Sequence, residues 1–535
     1  MLLDDAGWND IGYNSYDMAR SSPVMDKLAL EGVKLDNYYS QPQCTPTRAS
    51  LMTGNYPISI GMQHDCITPA SPWGLPLEYA IMPEMLQQAG YRTHMVGKWD
   101  LGHVVKDMWP TNRGFDSWLG FTCKGLLNYF TYDNSGYPDI QQGFDALPSA
   151  NGTYSTTLFR NESISVLTTH AEKYGVEHPL FLYIAFNAIH DTITVPGSFK
   201  ESELNAYITE NITYTKRQKA SGALYLADEA VGAVVHQLKE LDYYKNSVLV
   251  VISDNGGSPS DGSNNWPLRG AKKTYFQGGV RVFGFVHSPL LIAAGRGNTT
   301  VKSLFHVSDW VPTLVEGVAG YTTGETVLDG VNQWNVIMNG KGDDGVTPIR
   351  TEVLHNIDYM DTETGSVIAS EPKHIVAAMT AQFDDLHLYK VIIHSVADNW
   401  YEPFSNDAVA MELDGTSTVV DTDTFNVATN ETHFLFDIST DPYEIVNLWD
   451  HQDFQNVRRR LIDQICVSWE TRMVDTVYRP DVEGTKKKRM KAAFKGNDGY
   501  ITWYENATNI TSMYTLKSLE HSIGISGCVF RELYP

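Results

Sequence analysis

The chain has 535 residues, of which 42% are hydrophobic and 19% charged, and its formal net charge is −24. This composition is typical of a folded globular protein, and the length is too great for one ordinary core, so we expect a large domain and a smaller one. The negative charge disfavours nucleic acid and anionic lipid as partners, and an anionic substrate would need a local cluster of Lys and Arg. No apolar run reaches the roughly 18 residues of a membrane span, so the sequence predicts no transmembrane segment.

The chain opens with only three apolar residues before the acidic pair Asp4-Asp5. Because strands usually run to about five or six residues, we expect that part of a strand, and any leader before it, lie outside this sequence. Asn-x-Ser/Thr sequons add a moderate signal for the secretory pathway. They occur at Asn151, Asn161, Asn211, Asn298, Asn430, Asn506 and Asn509.

The cysteine count also favours the secretory pathway. There are five cysteines, at positions 44, 66, 123, 466 and 528. If Cys44 is consumed by chemistry, the other four allow two disulfides in three connectivities, which fits an oxidising compartment. The alternative is a set of buried free thiols.

Residues 181–186 and 247–252 are short apolar runs rich in β-forming side chains, and each is followed by a polar loop. Between them, residues 216–241 carry apolar side chains at helical spacing. Strand, helix and strand in this order predict a crossover unit in a mostly parallel sheet flanked by helices, an α/β fold. His190 follows one strand and the pair Asp254-Asn255 follows the other, where ligands of such sheets bind.

A Gly-rich polar break near residue 340 divides the chain. We expect a large α/β domain over 1–340 and a smaller C-terminal domain over 341–475 with an antiparallel sheet and one helix at 453–474. The tail, 476–535, contains a basic run at 486–491. A solvated, mobile loop is the favoured interpretation of that run, and a docking patch for a sulfated polymer is the alternative.

The most specific motif is Cys44-Thr-Pro-Thr-Arg48, which continues to Thr53-Gly54. This pattern resembles the signature of the sulfatase family, in which the cysteine is oxidised to formylglycine by a formylglycine-generating enzyme. The resemblance implies that the hydrated aldehyde attacks sulfur with one hydroxyl and expels sulfate with the other. A helix that starts near Pro46 would hold the Arg48 guanidinium beside residue 44.

The resemblance also implies a calcium site. Asp4, Asp5, Asp254 and Asn255, together with modified Cys44, match the family's metal ligands residue by residue. All ligating atoms would be oxygens, which select a hard cation such as Ca²⁺ over zinc.

The segment Gly97-Lys98-Trp99-Asp100-Leu101-Gly102 resembles a sulfatase motif that has His at the position of Asp100. The resemblance implies that Lys98 neutralises sulfate and that the residue at position 100 helps to expel it. Beside Ca²⁺, Arg48 and Lys98, we expect the pKa of Asp100 to fall, which would make it a weaker base.

Two further segments extend the match. His190 lies in a loop similar to the family's histidine loop, which implies that it binds sulfate and protonates the leaving alcohol. Lys272 is the expected second sulfate lysine, with adjacent Lys273 as the alternative. Gln277 stands where relatives usually have Glu, so a supporting carboxylate is lost.

The sequence therefore predicts a sulfuric ester hydrolase with an alkaline-phosphatase/sulfatase-like fold. The resemblance is nearest to the arylsulfatase B group, the N-acetylgalactosamine 4-sulfatases, which implies a sulfated amino sugar of dermatan or chondroitin sulfate as substrate. It also implies a lysosomal or secreted location. The alternative is an impaired pseudoenzyme that binds sulfated glycans without turnover, because Asp100 replaces His. A zinc phosphatase relative is a weaker third possibility.

Overall fold

The computed structural model describes residues 1–324, 326–340, 349–359, 375–384, 387–403, 431–474, 476–478, 485–505 and 528–534. The sequons at Asn430, Asn506 and Asn509 lie outside these ranges, as does the expected domain boundary at residue 475. Within the described residues, no helix is both long and apolar enough to cross a bilayer.

The strands, in chain order, are β1 Leu2–Leu3, β2 Val33–Leu35, β3 Tyr38–Tyr39, β4 Arg92–Lys98, β5 Ser117–Phe121, β6 Asp133–Asn134, β7 Tyr137–Pro138, β8 Gln141–Gln142, β9 Asp145–Ala146, β10 Leu180–Ala185, β11 Leu249–Ser253, β12 Gly284–His287, β13 Thr299–Val301, β14 Phe305–His306, β15 Glu352–Asp358, β16 Val376–Gln382, β17 Leu388–Ile393 and β18 His433–Asp437.

The α-helices are α1 Pro23–Glu31, α2 Cys44–Thr53, α3 Met82–Gln88, α4 Ser155–Tyr174, α5 Gly197–Lys200, α6 Glu203–Asn211, α7 Thr215–Glu240, α8 Gln277–Val280, α9 Pro289–Ala293, α10 Trp310–Pro312, α11 Trp334–Asn339, α12 Gln455–Arg472, α13 Thr485–Gly496 and α14 Val529–Leu533.

Over the described ranges, the large sheet has ten strands in the order β13-β2-β12-β11-β1-β10-β4-β5-β8-β9. Its centre, β11-β1-β10-β4-β5, is entirely parallel, and the antiparallel pairs lie towards the edges. The predicted α/β class, with a mostly parallel mixed sheet flanked by helices, is therefore confirmed. Parallel strands of this kind carry apolar residues on both faces, because helices cover both sides.

The predicted crossover unit is present as β10, α7 and β11, each within two residues of its expected bounds. The apolar face of α7 packs on the sheet and buries a row of small and branched side chains, including Ala223, Ala227 and Val231. The two strands are not direct neighbours, because β1 lies between them and pairs with both. Asp4 and Asp5, which follow β1, therefore lie at the middle of the carboxyl edge of the sheet.

Leu2 of β1 pairs with Ala185 of β10 and with Ile252 of β11, near the carboxyl ends of both strands. A cavity of about 760 Å³ lies at the opposite end of the sheet, lined by side chains that include Phe181 and Leu249.

A second, smaller sheet has four antiparallel strands, β15-β16-β17-β18, and α12 packs on it. The expected helix at 453–474 corresponds to α12, and β17 and β18 belong to the expected antiparallel sheet. Loops beside the two sheets contact each other: Arg269, between β11 and β12, donates to the backbone oxygens of Asp398 and Glu444, which follow β17 and β18.

The tail differs from the expectation. The basic run lies in helix α13, not in a mobile loop, and Met490 and Phe494 of that helix are buried against the large domain. These two residues are one helical turn apart, and Lys488, Arg489 and Lys491 of the same helix are exposed. The cysteine expectation is met in part: Cys466 and Cys528 form a disulfide, whereas Cys44, Cys66 and Cys123 are free thiols.

Candidate active site

Four parallel strands deliver polar side chains to one edge of the large sheet. Asp4-Asp5 follows β1, Lys98 ends β4, His190 follows β10 by a short loop and Asp254-Asn255 follows β11. Because the carboxyl ends of parallel strands meet at one edge, residues far apart in the sequence converge there. All of them are buried except His190, whose side chain is 13% exposed.

The acidic residues form the centre of this cluster. The backbone N–H of Asp5 donates to Asp254 Oδ1 at 3.1 Å, and Asn255 Nδ2 donates to Asp5 Oδ1 at 2.8 Å. Asp5 has φ of 60°, in the left-handed region that Asp tolerates better than most residues. This backbone turn directs consecutive carboxylates into the same small volume.

Helix α2 brings Cys44 and Arg48 to the acidic centre. It begins at Cys44, two residues before the expected start, and ends at Thr53, where Gly54 caps it with φ of 74°. Cys44 Sγ lies 3.5 Å from Asp4 Oδ1 and 3.9 Å from Asp5 Oδ1. All ten residues of the helix are buried, so its position is fixed by packing on every side.

Three cations balance the carboxylates. Arg48 binds Asp254 Oδ2 through Nη2 at 2.7 Å and through Nε at 3.2 Å. Lys98 Nζ lies 3.1 and 3.0 Å from the two oxygens of Asp4. Lys272 Nζ lies 2.7 Å from Asp5 Oδ2, so Lys272, rather than Lys273, is the lysine that reaches the cluster.

The charges shift the pKa values of these groups. Burial alone would raise the pKa of Asp5, but Lys272 and then His190 outweigh it and hold that pKa well below its usual range. Burial would lower the pKa of Lys98, and Asp4 reverses this and raises it. Both side chains are therefore charged at physiological pH.

A family model described as Sulfatase matches residues 1–321, more than half of the chain. Arylsulfatase J of Mus musculus is 37% identical over 460 residues, which cover 84% of this chain and 72% of that protein. N-acetylgalactosamine-6-sulfatase of Homo sapiens is 28% identical over 366 residues, which cover 64% of this chain and 65% of that protein. The chain belongs to the sulfatase family. The similarity to these relatives supports the activity of a sulfuric ester hydrolase.

Two solved structures share the fold of this sulfatase. The crystal structure of Ps i-CgsB in complex with k-i-k-neocarrahexaose has a TM-score of 0.69 at 23% identity and covers 93% of this chain and 98% of that chain. The PsFucS1 sulfatase from Pseudoalteromonas sp. has a TM-score of 0.62 at 20% identity and covers 87% of this chain and 89% of that chain. At these identities the likeness shows the fold alone. The finer resemblance to the N-acetylgalactosamine 4-sulfatases stays a prediction.

Asp100 is the residue of this sulfatase whose surroundings differ most from expectation. Its carboxylate is completely buried, and Lys98 Nζ lies 3.8 Å from Oδ2. Burial raises the pKa of Asp100 to about 6, although Lys98 and Arg48 act to lower it. Lys98 is bonded to Asp4 and Arg48 to Asp254, so these two cations alone do not lower the pKa of Asp100, and the fall expected beside Ca²⁺ stays a prediction. The backbone of Asp100, like that of Asp5, is left-handed, with φ of 58°.

His190 faces Asp5, with Nε2 at 3.7 Å from Asp5 Oδ2, and its Nδ1 lies 2.5 Å from the backbone oxygen of Asp191. Burial lowers the pKa of His190 to about 3, against the opposing effect of Asp5, so the imidazole is neutral near pH 7 in this state. Gly125 supports the ring by close approach: a Cβ at that position would lie 1.9 Å from His190 Nδ1.

Cys66 is a component of the site that the motif analysis missed. Its Sγ, the Sγ of Cys44 and a carboxylate oxygen of Asp100 all lie within 4.8 Å of one another. The contact between the thiols, together with burial, raises the pKa of Cys44 well above its ordinary value, and the same contact lowers that of Cys66. The one available signal was a second cysteine 22 residues after the first, which carries no motif.

Gln277 begins the short helix α8, and its backbone N–H donates to Glu444 Oε2 at 2.7 Å. Glu444, which follows β18 of the smaller sheet, therefore places a carboxylate beside Gln277. The resemblance had implied that a supporting carboxylate is lost at this position. Glu444 is itself paired with Lys390 at 2.9 Å, and both side chains are fully buried.

The donor set fits a hard divalent cation. Asn255 Oδ1 is buried and has no hydrogen-bond partner in the described part of the chain, and it belongs to the same cluster as the carboxylates of Asp4, Asp5 and Asp254. Carboxylate and amide oxygens are the ligands that Ca²⁺ and Mg²⁺ prefer. Asp4, Asp5, Cys44 and His190 also offer ligand atoms within 4.8 Å of one another.

Proposed function

We propose that this sulfatase hydrolyses sulfate monoesters at the cluster around Cys44, with Cys44 converted to formylglycine and with Ca²⁺ held by Asp4, Asp5, Asp254, Asn255 and the modified residue 44. The observation that carries the proposal is the convergence of Cys44 with three acidic residues and three cationic side chains at the carboxyl edge of the sheet. The aldehyde hydrate would supply the nucleophilic oxygen, and the calcium ion would polarise the sulfate oxygens.

The charge balance supports an anionic substrate. Asp4, Asp5, Asp100 and Asp254 oppose only Arg48, Lys98 and Lys272, so the cluster is net negative when all four carboxylates are ionised. A divalent cation would reverse that sign. A negatively charged chain needs a local cluster of Lys and Arg to bind an anionic substrate, and Arg48, Lys98 and Lys272 form such a cluster. The cluster attracts sulfate only after the metal binds, because only then is its net charge positive.

We assign the binding of sulfate oxygens to Lys98, Lys272 and Arg48. All three side chains lie within hydrogen-bond or ion-pair distance of the acidic residues that would hold the metal. A cation that is released from its carboxylate partner when the metal binds can donate to the substrate instead, in a site from which water is largely excluded.

His190 is the proton donor to the leaving alcohol in this proposal. Its neutral state near pH 7 reflects burial, which an anionic ester bound beside the ring would counteract by favouring the imidazolium. His190 and Lys272, each 13% exposed, lie on the side of the cluster that is open to solvent, and the sugar or aryl group would enter there.

Asp100 is the base that helps to release sulfate. A buried carboxyl whose pKa is about 6 can exchange a proton near neutral pH more readily than an ordinary aspartate. The same residue supports the second candidate function, a catalytically impaired protein that binds sulfated glycans, because its carboxylate would repel the sulfate that an imidazolium would attract.

The substrate we propose is a sulfated N-acetylgalactosamine of dermatan or chondroitin sulfate, because the human relative above is named for this sugar. A lysosomal or secreted protein is proposed with it, matured by a formylglycine-generating enzyme. The disulfide between Cys466 and Cys528 is consistent with an oxidising compartment.

The test is hydrolysis of an aryl sulfate and of 4- and 6-sulfated N-acetylgalactosamine by protein made in cells that install formylglycine, with the aldehyde verified by mass spectrometry. We expect activity in the parent and none in Cys44→Ala. Binding of sulfated glycans by an aldehyde-bearing parent without turnover would favour the second candidate and contradict the first.

A further inference from the structure

Cys66 places a second thiol beside the residue that defines the site. Cys44 Sγ and Cys66 Sγ lie within 4.8 Å of each other, and neither is part of the disulfide at Cys466. Their chain segments are tied together next to the thiols, because the backbone N–H of Ile67 donates to Thr45 Oγ1 at 3.0 Å. The contact between the two sulfurs is therefore built into the local fold.

We propose that, in chains whose Cys44 still carries its thiol, Cys44 and Cys66 form an internal disulfide. A disulfide has an S–S distance of about 2.05 Å, so side-chain rotation and a small shift of the Cys66 loop must close the remaining gap. Cys66 is partly exposed, whereas Cys44 is buried. The proposal concerns a modification of this chain and does not depend on sulfate hydrolysis.

The reaction needs an oxidant, and a small-molecule disulfide such as glutathione disulfide is sufficient. The Cys66 thiolate attacks one sulfur of glutathione disulfide, forms a mixed disulfide and releases one glutathione thiolate. The Cys44 thiolate then attacks Cys66 Sγ, which forms the Cys44–Cys66 bond and releases the second glutathione. The two protein thiols lose two protons and two electrons, and the oxidant is reduced to two thiols.

The consequence is that Cys44 has two competing oxidative fates. Conversion to the aldehyde, on which the proposed function rests, removes the sulfur of residue 44, whereas the disulfide retains it and occupies the position of the nucleophile. Chains that escape conversion would then hold a closed site instead of a reactive thiol.

The experiment uses the full chain from a host that leaves Cys44 unconverted. The folded protein is equilibrated with glutathione disulfide, alkylated, digested without reduction and mapped by mass spectrometry. We expect a linked peptide pair that contains Cys44 and Cys66 and is two hydrogens lighter than the sum of its parts. Cys66→Ser should abolish this pair and leave Cys44 alkylated or glutathionylated.

Cys123→Ser is the matched control. Cys123 is a buried free thiol nearby, where the backbone N–H of Lys124 donates to the Ile67 oxygen, but its own sulfur contacts Asn134 and Asp139. This variant should keep the Cys44–Cys66 pair. A Cys66–Cys123 pair, a persistent mixed disulfide at Cys66, or alkylation of both Cys44 and Cys66 while Cys466–Cys528 stays intact would each overturn the proposal.

Discussion

Arg48 and Asp254 form a completely buried ion pair, in which Nη2 and Nε of the guanidinium lie 2.7 and 3.2 Å from Asp254 Oδ2. Because the pair joins helix α2 to the end of β11, it holds Cys44 against the sheet edge. Its contribution can be separated from catalysis by a measurement of stability.

Arg48→Met should destabilise the protein by about 3–5 kcal/mol, because it leaves the Asp254 charge buried without its partner. Urea unfolding would measure the change, and the double variant Arg48→Met/Asp254→Asn should lose less than the sum of the single losses. Lys216→Ala, which breaks an exposed pair with Asp261, is the control and should have a much smaller effect. Equal losses for the buried and exposed pairs would contradict the assignment.

Asp100→His should raise kcat for an aryl sulfate by about tenfold or more, because imidazole accepts a proton near neutral pH without adding a fourth negative charge to the cluster. Asp100→Asn keeps the shape of the side chain but cannot accept the proton, and it should lower kcat. The pH profile of kcat should lose its acid limb near pH 6 only in the Asn variant, if Asp100 is the group that titrates. An Asn variant as active as the parent would remove Asp100 from the mechanism.

Removal of divalent cations should lower both activity and thermal stability. A ligand that binds only the folded state at about 100 times its Kd stabilises that state by about 2.7 kcal/mol, so Ca²⁺ added to EGTA-treated protein should raise Tm. Asn255→Ala deletes the buried Oδ1 and should weaken this response. Asn134→Ala removes a buried amide that binds the Cys123 oxygen outside the cluster, and its calcium response should be unchanged. A stronger response to Zn²⁺ than to Ca²⁺ would support the phosphatase alternative.

Asp228 should make the stability of the protein depend on pH. Its carboxylate accepts from the backbone N–H groups of Val24 and Met25 at 2.9 and 2.7 Å, and burial raises its pKa to about 7. The unfolded value is about 3.9, so the folded protein binds more protons between about pH 4 and pH 7. The contribution of Asp228 to the free energy of unfolding is therefore complete below about pH 4 and is lost as the pH rises towards 7.

Asp228→Asn should flatten that part of the pH dependence, whatever constant offset the lost hydrogen bond adds. Urea unfolding of parent and variant across this pH range gives the difference directly. Glu229→Gln, which changes the exposed neighbouring residue, should retain the slope of the parent. A parent and an Asp228→Asn variant with the same slope would show that Asp228 is ionised in both states.

The disulfide between Cys466 and Cys528 closes a separation of 62 residues and joins α12 to α14. In the chain-entropy view, a loop of this length stabilises the folded state by on the order of 4 kcal/mol. Cys466→Ser/Cys528→Ser should therefore unfold at a distinctly lower urea concentration than the parent under non-reducing conditions. The two proteins should become similar in a strong reductant, and a persistent difference would point to packing rather than to the cross-link.

Local patterns predicted the elements that present the site. The apolar runs before His190 and Asp254 and the helical spacing between them specify β10, α7 and β11, because each pattern depends only on neighbouring residues. The motif that contains Cys44 could be recognised in the sequence because its residues are contiguous. The place of β1 at the centre of the sheet could not be found in this way, since two apolar residues carry no periodicity.

Three features of the site depended on the tertiary structure. The partners Lys98 with Asp4 and Lys272 with Asp5 are 94 and 267 residues apart. Burial raises the pKa of Asp100, and the sequence does not show how deeply that side chain is buried. The sequence analysis did not predict helix α13, because the basic run favoured a solvated loop. Met490 and Phe494 are the side chains that pack this helix against the large domain.

The left-handed backbone at position 100, with φ of 58°, has a consequence for how this chain can change over generations. Most side chains are strained in that conformation, but Asp, Asn and His tolerate it better than others. An exchange between Asp and His there needs no rearrangement of the main chain, and their codons differ at a single base. The backbone conformation therefore does not oppose this exchange, and the chemistry of the site can be altered or restored in one mutational step.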